Sequence, residues 1–111
     1  MNLLEAIPAK ILKEEQVDLL EQAGPLRIER IISTGQCSQA GFWYDQSQVE
    51  WVLVLQGEAE LEWTDGTRKR LYAGDFLKLP AHQKHRVAWT STTPACIWFC
   101  IFFSEKEDFK G

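Results

Sequence analysis

The sequence predicts an all-β domain, and three observations predict it. From Leu26 onward apolar residues recur with period two, the spacing of a half-buried strand and not of a helix. Turn signals punctuate the short runs, at Thr64-Asp65-Gly66-Thr67 and at Ala73-Gly74-Asp75. The last run, "ACIWFCIFF", is apolar at both parities, as a strand covered on both faces must be. Short strands at this spacing indicate a β-sandwich or a small barrel.

The elements follow in order. Residues 1–25 differ from the rest. Pro8 stands near the start of "PAKILKEEQVDLLEQAG", where Leu12, Val17, Leu19 and Leu20 fall near helical spacing and Gly24-Pro25 supplies a stop signal. One short amphipathic helix is expected here, packed on the remainder. "RIERIIST" is a strand ending at Gly35, and "GFWYD" is an aromatic-rich stretch. Trp51, Leu53, Leu55, Ala59, Leu61 and Trp63 share one parity against Glu58, Glu60 and Glu62, which gives a long half-buried strand with Gly57 at a bend or bulge. "RKRLYA" returns from the hairpin, with Arg68 to Arg70 as a solvated or edge-protecting patch. "FLKLP" and "HRVAWT" come next, then a polar turn at residues 91–94 before the final run. The expected organisation is a helical segment over 1–25, a barrel over 26–104 and a charged tail over 105–111.

A chain of 111 residues fits one domain, and a composition 45% hydrophobic with 25% charged residues calls for a packed core. The net charge of -4, with acids and bases mixed, argues against a nucleic-acid partner. No apolar run approaches the ~18–20 residues of a membrane span, and the N-terminus lacks the pattern of a secretory signal. A cytoplasmic protein is expected. Cys37, Cys96 and Cys100 are odd in number and form no CxxC. In a strand, Cys96 and Cys100 share a face about 13 Å apart and cannot bridge. They read as small buried hydrophobes in a reducing compartment.

Glu50 poses the chemical question. A carboxylate beside Trp51 and Val52 is costly unless a metal, a ligand or an ion-pair partner compensates it. Arg86 or a lysine is the plain candidate for that partner.

The chain resembles the cupin superfamily at two motifs. Gly74, "DFLKL", then Pro80-Ala81-His82-Gln83-Lys84-His85 follows the second motif in spacing and order, except that His82 stands where a glycine is usual. Glu50, "WVLVLQ", Gly57 follows the second half of the first motif. The stretches "GFWYDQ", "EWVLVLQGEAEL" and "PAHQKHRVAWT" are similar to those of small bacterial single-domain cupins. The resemblance implies a cupin-like jelly-roll β-barrel with Glu50 pointing inward. It also implies a metal site, from which this chain departs: the two first-motif histidines fall at Trp43 and Asp45, or at Tyr44 and Gln46.

The site expected from this resemblance is a barrel mouth lined by Tyr44, Gln46, Glu50 and His85, with Trp43 or Phe42 as apolar wall. The expected function is binding of a small organic molecule there. The expected metal is a weakly held divalent ion (Mn, Fe, Ni or Zn) on Glu50 and His85, helped by Asp45 and more remotely by His82. Two alternatives stand beside it: a metal-dependent cupin enzyme of the dioxygenase, isomerase or decarboxylase type, and a non-catalytic structural or regulatory dimer. A homodimer is expected in each case.

Overall fold

The chain crosses between its sheets at one glycine that no other residue could replace without strain. Gly57 has a φ of +78°, and a Cβ there would stand 2.5 Å from the Ala95 carbonyl oxygen and 2.9 Å from Cys96 Cα. At this point the chain leaves one sheet and enters the other. The computed structural model describes residues 2–105, and its eight strands form two antiparallel sheets. Strands β1 (Gln16–Ala23), β2 (Leu26–Ser33), β3 (Val49–Gln56), β6 (Phe76–Leu79) and β8 (Cys96–Phe103) form the first, in the order β1-β2-β8-β3-β6. Strands β4 (Glu58–Trp63), β5 (Arg68–Tyr72) and β7 (His85–Thr90) form the second, in the order β5-β4-β7.

The helix expected over residues 1–25 is absent, and no helix occurs among the described residues. Residues Gln16–Ala23 pair with β2 as a hairpin, Ala23 opposite Leu26 and Gln16 opposite Ile32. Gly24-Pro25 is therefore a two-residue hairpin turn and not a helix stop. Gly24 has a φ of +57°, which the first residue of a type II′ turn requires and glycine supplies without strain. Val17 and Leu19 satisfy a strand alternation as well as a helical stripe, and the open edge of β2 decides between them. Residues before β1 are irregular. They are anchored by the Leu12 amide donating to Thr34 Oγ1 at 2.8 Å and by Arg30, which donates to the Glu5 carbonyl at 2.7 Å and to Asp18 at 2.7 Å.

The long strand expected across residues 51–63 is two strands, and its parity inverts at the crossing. Before Gly57 the inward-facing residues are Glu50, Val52 and Val54; after it they are Ala59 and Leu61. A bulge opposite β8 between Val54 and Gln56 accompanies the switch. Trp51 thus lies on the outer face, 36% exposed and stacked on Phe76 at 5.4 Å, contrary to the single buried parity the sequence indicates. The core comes from both sheets: Val52, Val54, Cys96, Trp98 and Phe102 on one side, Ala59, Leu61 and Leu71 on the other. The arginine patch is paired across β4 and β5, with Arg68 on Glu60 at 2.9 Å and Arg70 on Glu58 at 3.2 Å. Of the tail, Glu105 pairs with Lys78 at 3.4 Å; positions 106–111 lie outside the described residues.

Gly57→Ala should destabilise the protein by about 2–4 kcal/mol, because positive φ and a backbone clash act together. Chemical denaturation would show it; a loss below the usual surface-substitution range would contradict the crossing geometry.

Candidate functional site

Between the sheets lies a cavity of about 380 Å³. Its floor is apolar, from Val52, Leu61, Leu79, Trp98 and Phe102. Its polar groups are Glu15, Arg27, Glu29, Gln46, Glu50 and His85, with the Tyr44 ring beside them. The strand period explains the set. Alternate residues of β2 (Arg27, Glu29, Ile31) share the face that β3 presents through Glu50 and Val52, and that β8 presents through Trp98, Cys100 and Phe102.

Tyr44 and Gln46 reach the cavity from the loop between β2 and β3, which is tied to the start of β7. The Tyr44 amide donates to the His85 carbonyl at 2.7 Å, and the His85 amide returns the bond to Tyr44 at 3.2 Å. The two rings stack at 5.4 Å. The His82 amide donates to the Gln46 carbonyl at 2.7 Å.

Glu50 is only 8% exposed, yet no cation forms an ion pair with it among the described residues. Arg86, the candidate partner, instead donates to Glu62 at 2.6 Å and to the Ser38 carbonyl at 3.0 Å. Glu50 receives a long bond from Gln46 Nε2, 3.4 Å. Loss of water around it outweighs the lowering effect of the neighbouring Cys100 thiol and pushes its carboxyl up to about 7. Burial likewise raises the carboxyl of Glu15, the phenol of Tyr44 and, well above its usual value, the thiol of Cys100.

His85 is buried, and loss of water lowers its affinity for a proton. Its Nδ1 lies 3.0 Å from the Gln83 carbonyl. A carbonyl only accepts, so Nδ1 carries the hydrogen and the neutral ring keeps its lone pair on Nε2. The site therefore combines a carboxyl that changes charge near neutrality with an imidazole of fixed tautomer.

Of the residues expected from the sequence, Tyr44, Gln46, Glu50 and His85 come together in this cavity. Trp43 does not line it. Phe42 lies just outside, edge-on to Tyr44 at 4.8 Å. Asp45 and His82 are not brought to Glu50 and His85: both are exposed and pair with each other, Asp45 Oδ1 to His82 Nδ1 at 2.9 Å. Among the described residues no group of three or more His, Cys, Asp or Glu is placed to hold a metal ion. One carboxylate and one imidazole are a short donor set for a resident divalent ion, which takes at least three protein ligands even in an open catalytic site.

The sequence reading missed Glu15, Arg27, Glu29 and Cys100. For Arg27 and Glu29 a signal existed: they share parity with Ile31 on a strand expected to be half-buried. Cys96 and Cys100 share the inner face of β8, as their spacing indicated, whereas Cys37 is exposed. No described helix is long and apolar enough to cross a membrane.

Residues 32–102 match the cupin domain model. A crystal structure of a protein from Ralstonia eutropha JMP134, provisionally named a mannose-6-phosphate isomerase, is similar with a TM-score of 0.90 and 39% identity, over 95% of this chain and 97% of that one. A cupin superfamily protein from Desulfitobacterium hafniense DCB-2 aligns at TM-score 0.74 and 21% identity, over 89% and 84% of the two chains. An RmlC-like cupin from Shewanella frigidimarina NCIMB 400 aligns at 0.69 and 25%, over 90% and 85%. No curated protein matches the chain in sequence.

Glu50→Gln should stabilise the fold at alkaline pH. A carboxyl whose proton affinity rises on folding binds more protons folded than unfolded, so its contribution falls as pH rises from the ordinary carboxylate range to about 7. The variant should gain roughly 2–3 kcal/mol over the parent at pH 8, shrinking to near zero by pH 4. Urea unfolding of both proteins across that range tests it. The difference between them isolates Glu50, since Glu15 and His85 are common to both.

Proposed function

The chain belongs to the cupin domain family, and on that premise we propose that it binds a small organic molecule in the cavity between its sheets. The observation that carries this reading is Glu50, held in an apolar wall without an ion-pair partner and facing a space of about 380 Å³. A buried carboxyl without a cation partner costs stability that a ligand with a hydrogen-bond donor would recover. Glu50 and the Nε2 of His85 orient the molecule, Tyr44 and Gln46 flank its polar end, and Trp98 and Phe102 contact its apolar body.

An isomerase is the second reading. The Ralstonia relative carries that name at 39% identity, and a carboxyl that titrates near neutrality suits proton transfer to and from carbon. Incubation with mannose 6-phosphate, followed for the ketose product, decides for or against it. The metal-dependent version is not favoured, because Asp45 pairs with His82 instead of completing a donor set.

A homodimer is part of the proposal. The outer face of β3, β6 and β8 carries Trp51, Leu53, Phe76, Phe99 and Ile101, and Phe76 is 63% exposed. A second copy of the same face, related by a two-fold axis, would cover it. Light scattering of the parent and of Phe76→Glu should give a dimer and a monomer; a monomeric parent ends this part of the proposal.

The cavity itself is tested by filling it. Saturation-transfer NMR with 2-phenylethanol should detect binding to the parent, and Cys100→Phe, which places a ring in the space, should weaken it at least ~10-fold with the β-sheet circular dichroism retained. Unchanged binding in the variant would move the ligand elsewhere.

A further inference from the structure

The cavity is charged unevenly. Among the described residues that line it stand three carboxylates, Glu15, Glu29 and Glu50, and one guanidinium, that of Arg27. That guanidinium is already engaged: its Nε donates to Glu29 at 2.7 Å, and its plane lies over the Phe102 ring at 4.2 Å from the centroid. His85 adds no cation, because burial disfavours its charged form. Elsewhere the protein pairs its glutamates carefully: Glu58, Glu60 and Glu62 on β4 each meet an arginine within 3.2 Å. Glu50, more than nine-tenths buried, meets none.

Resting on the reading that this cavity binds a small molecule, we infer that its ligand is an organic cation, an ammonium head set against Glu50 with an apolar or aromatic body against Trp98 and Phe102. The head supplies the positive charge that Glu50 lacks, and its N–H donors meet a carboxyl whose hydrogen bond from Gln46 Nε2 is 3.4 Å long. The aromatic floor adds attraction for a cation near a ring face. An anionic head, whether carboxylate or phosphate monoester, would enter against an excess of two carboxylates and would have to displace Glu29 from Arg27. Attraction and repulsion are stronger at Glu50, which is 8% exposed, than at the surface.

Three probes with one body and different heads test this: 2-phenylethylammonium, 2-phenylethanol and 3-phenylpropanoate, each titrated calorimetrically into the full chain near neutral pH. The ammonium should bind about tenfold or more tightly than the alcohol, and the carboxylate more weakly than either. Glu50→Gln should bring the ammonium affinity down to that of the alcohol. Equal affinity for ammonium and alcohol, or preference for the carboxylate, overturns the charge assignment and leaves the binding cavity standing. Preference for the ammonium that persists in Glu50→Gln and is instead lost in Glu15→Gln overturns the assignment to Glu50. Binding of none of the three overturns the cavity reading and this inference together.

Discussion

The structure depends on a backbone that can pass between two sheets without a side chain in the way. At Gly57 the chain presses against Ala95 and Cys96, the segment where β8 begins, so the crossing and the central strand of the larger sheet are fitted to each other. The Glu58 amide completes the joint by donating to Ser91 Oγ at 3.0 Å, and the Ser91 hydroxyl in turn donates to the Pro94 carbonyl at 2.7 Å. The cavity lies between the same two sheets, lined on β3 by Glu50 and Val52 and on β4 by Leu61.

Polar groups are treated in two ways across the molecule. On the outer face of the small sheet, arginines and glutamates pair in strand register, and Arg70 also covers Trp89 at 4.3 Å. In the interior, Ser33 accepts from Trp98 Nε1 at 3.1 Å and Arg30 is surrounded by acceptors. Two buried groups depart from this pattern among the described residues: Arg86 Nε, which has no partner, and the Glu50 carboxyl, which has one long amide bond and no cation; only the second faces the cavity. The same burial that makes Glu50 expensive also strengthens whatever charge or donor meets it.

The strand framework from Leu26 onward was legible because period two and Gly-containing turns act locally, and Glu50 and His85 were legible through motif spacing. What failed depended on tertiary context. Val17, Leu19 and Leu20 fit a helix and a strand equally in sequence, and only the unpaired edge of β2 selects the strand. The inverted parity at Gly57 was hidden because β3 is apolar on both faces, so Trp51 and Val52 look equally suited to the core. Asp45 was the nearest available donor in sequence, yet the loop that carries Tyr44 inward turns its next residue out to His82. Glu15 carried no parity signal, because it precedes β1 in an irregular segment whose path only tertiary context decides, whereas Glu29 shares the parity of Ile31.

The two rims of the cavity are anchored differently. Backbone bonds from Tyr44 to His85 and from His82 to Gln46, with the Asp45–His82 contact outside them, fix that rim to the smaller sheet. The opposite rim is β1, a strand bonded to one neighbour only, with Val17 half exposed at the cavity edge. That edge strand is held from outside the cavity by Arg30, which pairs with Asp18 at 2.7 Å and donates to the Glu5 carbonyl of the segment before it at 2.7 Å.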